Sequence, residues 1–212
     1  MKGLEMRRNE TNGRLITFCG LDGCGKTTMI KMLNEWLGTK ERIVYLTKQP
    51  TDFVRNTEIF RTYMDSPNHD AYDYRSLSLL AASDRIQHCN KVILPQLEKG
   101  KCVISDRYIY SCVANLNARG YKEDMWIYEI ARSILKPDIS VFLDIPVEEA
   151  VARVRSRVDE RDNYIDMKLQ YKLRDEYLKL ARKNGGIIIS SNREAEKTFL
   201  DVRRYVSDYL EV

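Results

Sequence analysis

The stretch RLITFCGLDGCGKTT, residues 14–28, decides the fold of this chain. Its largely apolar first part, Arg14–Gly20, predicts a buried strand, and Lys26–Leu37 after it has the apolar spacing of a helix. The eight residues Gly20–Thr27 fit the pattern G-x-x-x-x-G-K-[ST]. Because this pattern stands between a strand and a helix, it predicts a loop that binds phosphates.

The spacing within this loop has a chemical reason. Glycines allow backbone N–H groups to turn toward phosphate oxygens, and the helix N-terminus adds a partial positive charge. Lys26 is placed to reach the β- and γ-phosphates of a nucleoside triphosphate, and the Thr27 hydroxyl to bind Mg²⁺. We therefore expect ATP or GTP, with Mg²⁺, at seven loop residues: Gly20, Gly23, Cys24, Gly25, Lys26, Thr27 and Thr28.

The rest of the chain alternates short apolar runs with longer amphipathic stretches. Four further strands are predicted at Arg42–Thr47, Cys102–Ser105, Ile139–Leu143 and Ile187–Ser190. Helical patterns cover residues 73–98, with a break near Pro95, and residues 108–118, 123–134, 147–157, 165–183 and 195–210. This alternation predicts an α/β fold with a doubly wound, five-stranded parallel sheet that helices cover on both faces.

The domain organisation follows from what the chain lacks. Residues 1–13 are polar and contain no apolar run, so we expect a flexible N-terminal tail. No segment rich in Pro, Gly or Ser divides residues 14–212, which we interpret as one domain.

Composition excludes several classes of protein. The 212 residues carry 35 Lys and Arg against 31 Asp and Glu, a net charge of +4, and 43% are hydrophobic. No apolar run approaches the roughly 20 residues of a membrane-spanning helix, and the hydrophobic content is too high for a disordered chain. Interleaved charges give little support to nucleic-acid binding, and five cysteines without a C-x-x-C pair indicate reduced thiols in a cytoplasmic protein. We expect neither a membrane nor a nucleic acid as partner.

Two charged groups narrow the class of nucleotide-binding protein. The third strand ends in Ser105-Asp106-Arg107-Tyr108, and Arg107 stands at the carboxyl edge of the sheet, where open α/β sheets bind ligands. An arginine there can fork onto a phosphate, although an Asp–Arg surface pair explains the same residues. The loop carries an acid within itself, Asp22, and the chain has no N-K-x-D motif of a G protein.

Three segments together resemble the thymidylate kinase family: FCGLDGCGKTT, then VILPQLEKGKCVISDRYIYS, then an Arg-rich stretch before a long helix. The resemblance extends over residues 14–208. It implies a P-loop kinase fold with an Arg-rich lid, and transfer of the γ-phosphoryl group of MgATP to the 5′-phosphate of dTMP, a small nucleotide. It also implies a homodimer, as is common in this family.

The resemblance assigns roles to individual residues. It places Asp22 near the acceptor nucleotide and the metal, Arg107 on the acceptor phosphate, and Arg85 on the base. We expect Lys48 to help orient the acceptor phosphate, and we assign Thr27 and Asp106 to Mg²⁺. Four more residues are expected to line the acceptor site: Ser111, Cys112, Asn115 and Tyr164.

The lid, about residues 153–163, carries Arg153, Arg157 and Arg161 at a spacing of four. If the segment is helical, these arginines share one face. Three guanidiniums on one face suit a triphosphate that gains charge as its phosphoryl group is transferred. The acids among residues 159–162 make a solvated charged face the competing interpretation. The family carries an arginine either in the loop or in the lid, and Gly23 occupies the loop position, so we expect the lid to supply it. We expect Arg153 and Arg157 to be catalytic with Lys26, Asp22 and Arg107, and Arg161 to bind ATP.

Four positions depart from the family pattern. Ala81 replaces the usual Phe that stacks on thymine, which leaves space beside Arg85 for a bulkier base unless Tyr72 or Tyr74 fills it. Lys48 replaces an arginine, Asn115 replaces an aromatic residue that packs on the sugar, and Cys19 replaces an acid before the loop.

These departures leave two alternatives open. The Arg107–Ser111 segment with Asn115 is also similar to deoxyribonucleoside kinases, which phosphorylate a free 5′-hydroxyl. An inactive homologue that uses ATP as a structural ligand would belong to another class, against which the presence of Lys26, Thr27, Asp22 and Arg107 counts.

Overall fold

A computed structural model describes residues 3–65, 71–158 and 164–211. Five strands form one sheet: β1 (Arg14–Cys19), β2 (Val44–Lys48), β3 (Cys102–Asp106), β4 (Ile139–Asp144) and β5 (Ile187–Ser190). All are parallel, in the order β2-β3-β1-β4-β5. The predicted α/β fold with a five-stranded parallel sheet is therefore confirmed.

Ten α-helices occur in the described residues: α1 (Lys26–Gly38), α2 (Asp52–Arg55), α3 (Glu58–Asp65), α4 (Tyr74–His88), α5 (Leu94–Glu98), α6 (Ile109–Ala118), α7 (Trp126–Ala131), α8 (Val147–Arg155), α9 (Met167–Asn184) and α10 (Ala195–Leu210). The break predicted near Pro95 is a π-helical turn, Cys89–Ile93, between α4 and α5. Helices α2 and α3 were not predicted from the sequence. In the described part of the chain, no helix is both long and apolar enough to cross a membrane.

The strands are buried because helices cover both faces of the sheet. Leu15, Ile16 and Phe18 of β1 are fully buried, as are Val103 and Ile104 of β3. Helix α1 packs on α10, and α6 packs on α4 and α9. A strand covered on both sides has no solvent face, which explains the continuous apolar runs.

The register of the strands brings three chain segments to one edge of the sheet. Asp106 pairs with Lys48 of β2 on one side and with Phe18 of β1 on the other. The residues that follow, Gly20 after β1 and Arg107 after β3, therefore leave the sheet side by side.

The loose tail predicted for residues 1–13 is wrong for the described residues 3–13. The Leu4 side chain is buried, and its backbone N–H donates to Asn184 Oδ1 at 2.7 Å. Arg7 forms a parallel bridge with Leu135, in which its N–H donates to the Ile134 carbonyl at 3.0 Å. One buried leucine and a short stretch of backbone pairing therefore hold this polar segment, although the segment lacks an apolar run.

Candidate active site

The loop after β1 approaches neighbouring backbone closely at its glycines. A Cβ atom on Gly23, whose φ is +83°, would lie 2.1 Å from the Ala150 carbonyl oxygen of α8. Only glycine permits this contact, and the contact brings α8 against the loop. Gly25, at φ +92°, directly precedes the first residue of α1, so the helix N-terminus opens toward the loop as the sequence predicts.

Lys26 folds back over this loop. Its side chain is 6% exposed, and its ammonium donates to the Leu21 carbonyl at 2.8 Å and to the Gly20 carbonyl at 3.3 Å. The Cys24 sulfur lies 3.7 Å from the same ammonium and is fully buried. The cation is thus held inside the loop by two carbonyl oxygens, with the Asp22 carboxylate 4.0 Å away.

Asp22 and Arg107 form an ion pair between the loop and the end of β3. Arg107 also directs Nη1 toward the Gly20 carbonyl, 3.5 Å away, and its φ is +68°. Crowding by the protein raises the pKa of Asp22, but the charges of Arg107 and Lys26 outweigh this and hold the pKa well below its usual range. Asp22, whose side chain is 59% exposed, therefore stays ionised at neutral pH.

Tyr177 of α9 forms a second hydrogen bond with the Arg107 guanidinium. This residue was not predicted from the sequence. The buried Tyr177 hydroxyl accepts from Arg107 Nη1 at 3.1 Å and donates to Ser111 Oγ at 3.1 Å. Burial raises the pKa of Tyr177 to about 12, so the hydroxyl keeps its proton at neutral pH. Ser111, a residue predicted to line the acceptor site, is thus linked to Arg107 through the Tyr177 hydroxyl.

Lys48 lies across the end of the sheet from Arg107. Its ammonium is 3.9 Å from Asp106 Oδ2, while Asp106 Oδ1 is buried without a hydrogen-bond partner among the described residues. Partial burial and the nearby Arg55 guanidinium lower the pKa of Lys48, and Asp106 opposes them. Arg55, held by the Pro50 carbonyl at 2.6 Å, is a further cation at this corner, and no sequence motif pointed to it.

Two side chains of α4 hold the segment that carries Lys48. His88 bonds Thr47 Oγ1 through Nε2 at 2.8 Å and accepts from Gln49 Nε2 at 3.0 Å. Burial lowers the pKa of His88, which favours the neutral ring that this pairing requires. Asp84 accepts from the Thr51 N–H at 2.8 Å.

Ala81 and Arg85 share a face of α4, as predicted. Arg85 is 2% exposed, and its Nη1 donates to the Ala81 carbonyl at 2.8 Å, which keeps the guanidinium beside Ala81. The Tyr74 ring lies farther along the same face. Burial raises the pKa of Tyr74, while the nearby Arg119 and Arg85 guanidiniums oppose the rise.

Asn115 contacts protein groups rather than open space. Its amide donates to the Ser111 carbonyl at 2.9 Å, and its oxygen accepts from Arg119 Nη1 at 2.7 Å. Arg119, which the sequence analysis did not select, lies over the Tyr74 ring with Cζ 3.9 Å from the centroid. Cys112 is buried next to these residues on α6.

The single helical face predicted for the lid arginines is wrong. Helix α8 ends at Arg155, so Arg157 lies beyond the helix, and Arg161 is outside the described residues. Arg153 does reach the loop: its Nη1 is 4.0 Å from where a Cβ of Gly25 would stand, and its Nη2 donates to the Ser191 carbonyl at 3.1 Å. Tyr164 is half exposed.

The structure therefore joins most of the predicted site into one region. The loop, Arg107, Lys48 and Arg153 converge at the carboxyl edge, and Arg157 adds to the positive charge that acts on Asp22. Thr27 and Thr28 are exposed at the start of α1. Across the described ranges, no group of three or more His, Cys, Asp or Glu side chains is arranged to hold a metal.

Comparison with known proteins points in the same direction as this geometry. The family model for thymidylate kinase matches residues 18–202. A protein of Pyrococcus abyssi (strain GE5 / Orsay), named "Probable thymidylate kinase", is 40% identical over 176 residues, which are 80% of this chain and 83% of the relative. One of Thermococcus kodakarensis with the same name is 42% identical over 167 residues, covering 76% and 81%. The "Thymidylate kinase" of Geobacillus sp. (strain WCH70) is 32% identical over 207 residues, covering 94% and 98%. The chain therefore belongs to the thymidylate kinase family.

Proposed function

We propose that this protein is a kinase that transfers the γ-phosphoryl group of ATP to the 5′-phosphate of dTMP, which gives ADP and dTDP. The observation that carries this proposal is the contact of Arg107 with both Asp22 and Gly20 of the phosphate loop. This contact supports the proposal because Arg107, a cation that can bind a second phosphate, lies directly beside the loop proposed to bind the first. Family membership supports the choice of dTMP as acceptor.

At the donor end, the loop N–H groups and Lys26 hold the β- and γ-phosphates. Arg153 lies against the loop and can neutralise charge as the phosphoryl group moves. Transfer of a phosphoryl group requires positioning and charge neutralisation more than covalent chemistry.

At the acceptor end, Arg107, Lys48 and Arg55 surround one corner of the sheet with positive charge. Such a corner suits a dianionic phosphate, whose second pKa is about 6. A phosphate oxygen that is already ionised attacks without loss of a proton, so the reaction needs no general base.

A nucleoside kinase must take a proton from a 5′-hydroxyl. Asp22 is the carboxylate of the phosphate loop, and its pairing with Arg107 keeps its pKa well below its usual range, so this residue is a weak proton acceptor. The charge on Asp22 therefore supports a nucleotide rather than a nucleoside as acceptor.

Mg²⁺ fits the residues present. The Thr27 hydroxyl is exposed at the start of α1, and Asp106 has a buried carboxylate oxygen without a partner among the described side chains. Mg²⁺ prefers such oxygens and usually binds through one or two protein groups plus substrate phosphates. When bound, it would neutralise charge on the β- and γ-phosphates, with Thr27 and Asp106 as the residues that would hold it.

An acceptor panel tests the proposed function. ADP release from ATP is measured with dTMP, dUMP, dCMP, dGMP and dAMP, and then with the free nucleosides. We expect dTMP to give the highest kcat/KM and thymidine to give none. Turnover with thymidine but not dTMP would favour the nucleoside kinase, and no stimulation by any acceptor would favour the inactive homologue.

Three further expectations stay predictions: a homodimer, a cytoplasmic location and independence from nucleic acid. The homodimer follows only from family membership, and sedimentation of the purified chain measures it directly.

A further inference from the structure

Two rows of side chains face each other across the acceptor side of the molecule. On α4 and α6, which pack together, the members of each row recur every three or four residues and so share a face: Tyr74, Ser78, Ala81 and Arg85 on α4, and Ser111, Asn115 and Arg119 on the α6 side. We call these two rows, together with the cavity at their outer end, the acceptor cleft. Its inner end lies at Ser111, which the Tyr177 hydroxyl links to Arg107.

The outer end of the acceptor cleft is built around the Arg119 guanidinium. Its Cζ lies 3.9 Å from the centroid of the Tyr74 ring, so one face of the planar cation rests on the ring. The Tyr63 ring meets Tyr74 edge-on, with the centroids 5.1 Å apart and the planes at 84°. Asn115 accepts from Arg119 Nη1 at 2.7 Å, which fixes the orientation of the guanidinium plane.

A cavity of about 360 Å³ opens at this end of the cleft. Arg119, Tyr74, Tyr63 and Tyr121 contribute a guanidinium and three aromatic rings to its wall. Lys168 and Lys172 of α9 add positive charge, and Asp166, the N-cap of that helix, adds one negative charge. A planar base, which can stack on a guanidinium, fits such a wall better than an aliphatic or cationic ligand does.

We propose that the base of the acceptor nucleotide stacks on the Arg119 guanidinium, with Tyr74 as the second layer behind it. The inference rests on the proposed function, because it takes the acceptor to be a nucleoside monophosphate. It explains how the chain holds a base although the side chain of Ala81 offers no ring.

The two ends of the cleft are separated along the chain. From Ser111 to Arg119 the chain rises about 12 Å at the spacing of an α-helix. The proposal places the phosphate of the acceptor near the inner end and its base at the outer end. Stacking tolerates any base, so Arg119 contributes affinity for the base, while discrimination between bases falls to hydrogen bonds from groups such as Arg85.

A pair of ligands separates base stacking from other roles of Arg119. Binding of dTMP and of 2-deoxyribose 5-phosphate, which lacks the base, is measured by calorimetry for the wild type and for Arg119→Ala. We expect the variant to lose about tenfold or more in affinity for dTMP. Its affinity for the ligand without a base should change by less than twofold.

Two further variants complete the experiment. Arg119→Lys should also lose affinity for dTMP, because a compact ammonium cannot lie flat between two rings. It also supplies the comparison if Arg119→Ala does not fold. Arg204→Ala should leave both ligands unchanged, since Arg204 forms the same kind of pair with Tyr205, at 5.2 Å, on α10.

Equal losses for both ligands would overturn the inference, because Arg119 would then hold the phosphate or the fold. Unchanged affinity for dTMP would overturn it too. The measurement needs no turnover: a protein that binds dTMP through Arg119 but makes no dTDP would contradict the proposed function alone.

Discussion

The donor and acceptor ends of the site are built in different ways. The donor end is one continuous segment, Gly20–Thr28, whose geometry follows from its own glycines and from the helix that it begins. The acceptor end is assembled from the ends of β2 and β3 and from side chains of α4, α6 and α9. Local sequence therefore determines the geometry of the proposed ATP-binding end, whereas tertiary packing determines the geometry of the proposed acceptor end.

The largest expected effect is at the donor end. Lys26→Ala should lower kcat by about 10³-fold, because the transferring phosphoryl group loses its buried counter-charge. Steady-state assays should show the same relative loss with every acceptor. Near-normal turnover of a variant whose circular dichroism shows an intact fold would contradict the role assigned to Lys26 at the donor end.

Arg107→Lys should affect the acceptor end selectively. A lysine keeps the charge but loses the fork that contacts Asp22, Gly20 and Tyr177, so we expect KM for dTMP to rise about 10- to 100-fold. KM for ATP should change by less than threefold. Arg132→Lys is the matched control, because Arg132 forms surface ion pairs with Glu5 and Glu129. Equal rises in both KM values would show that the two ends are not separable.

Arg55→Ala should have a smaller effect in the same direction. Arg55 adds charge to the corner at Lys48, and the loss of one partly exposed charge costs about 1 kcal/mol, or roughly fivefold in KM for dTMP. Inhibition by a nucleoside, which carries no phosphate for Arg55 to attract, should not change. A rise in KM for ATP instead would assign Arg55 to the donor.

Ala81→Phe should produce the smallest change. A ring beside Arg85 narrows the acceptor cleft, so the ratio of kcat/KM for dTMP to that for dGMP should rise about twofold to fivefold. An unchanged ratio would show that position 81 does not limit the size of the base.

The fold was predictable because its signals are local. Each buried strand is a short apolar run, and the phosphate-loop pattern requires a strand before it and a helix after it. The predicted ends of all five strands therefore lie within two residues of the observed ends. The N-terminal segment was not, because its attachment depends on Asn184 and Leu135, which are distant in the sequence.

The acceptor end was less predictable for the same reason. Tyr177 reaches the site only through the packing of α9, 70 residues along the chain from Arg107. Arg55 and Arg119 lie close in the chain to Lys48 and Asn115, but no motif includes them and only the packing of the helices shows their contacts. The lid arginines show the converse error: a spacing of four indicates one helical face only while the helix continues, and α8 ends at Arg155.

The most direct test of the central claim is to find which atom receives the phosphoryl group. The wild-type protein is mixed with γ-³²P-labelled ATP and Mg²⁺ in a single turnover, with dTMP or thymidine as acceptor, and the products are separated. We predict label in the β-phosphate of dTDP and none in a product of thymidine. Label on the 5′-oxygen of thymidine, with unlabelled dTMP left intact, would contradict the account.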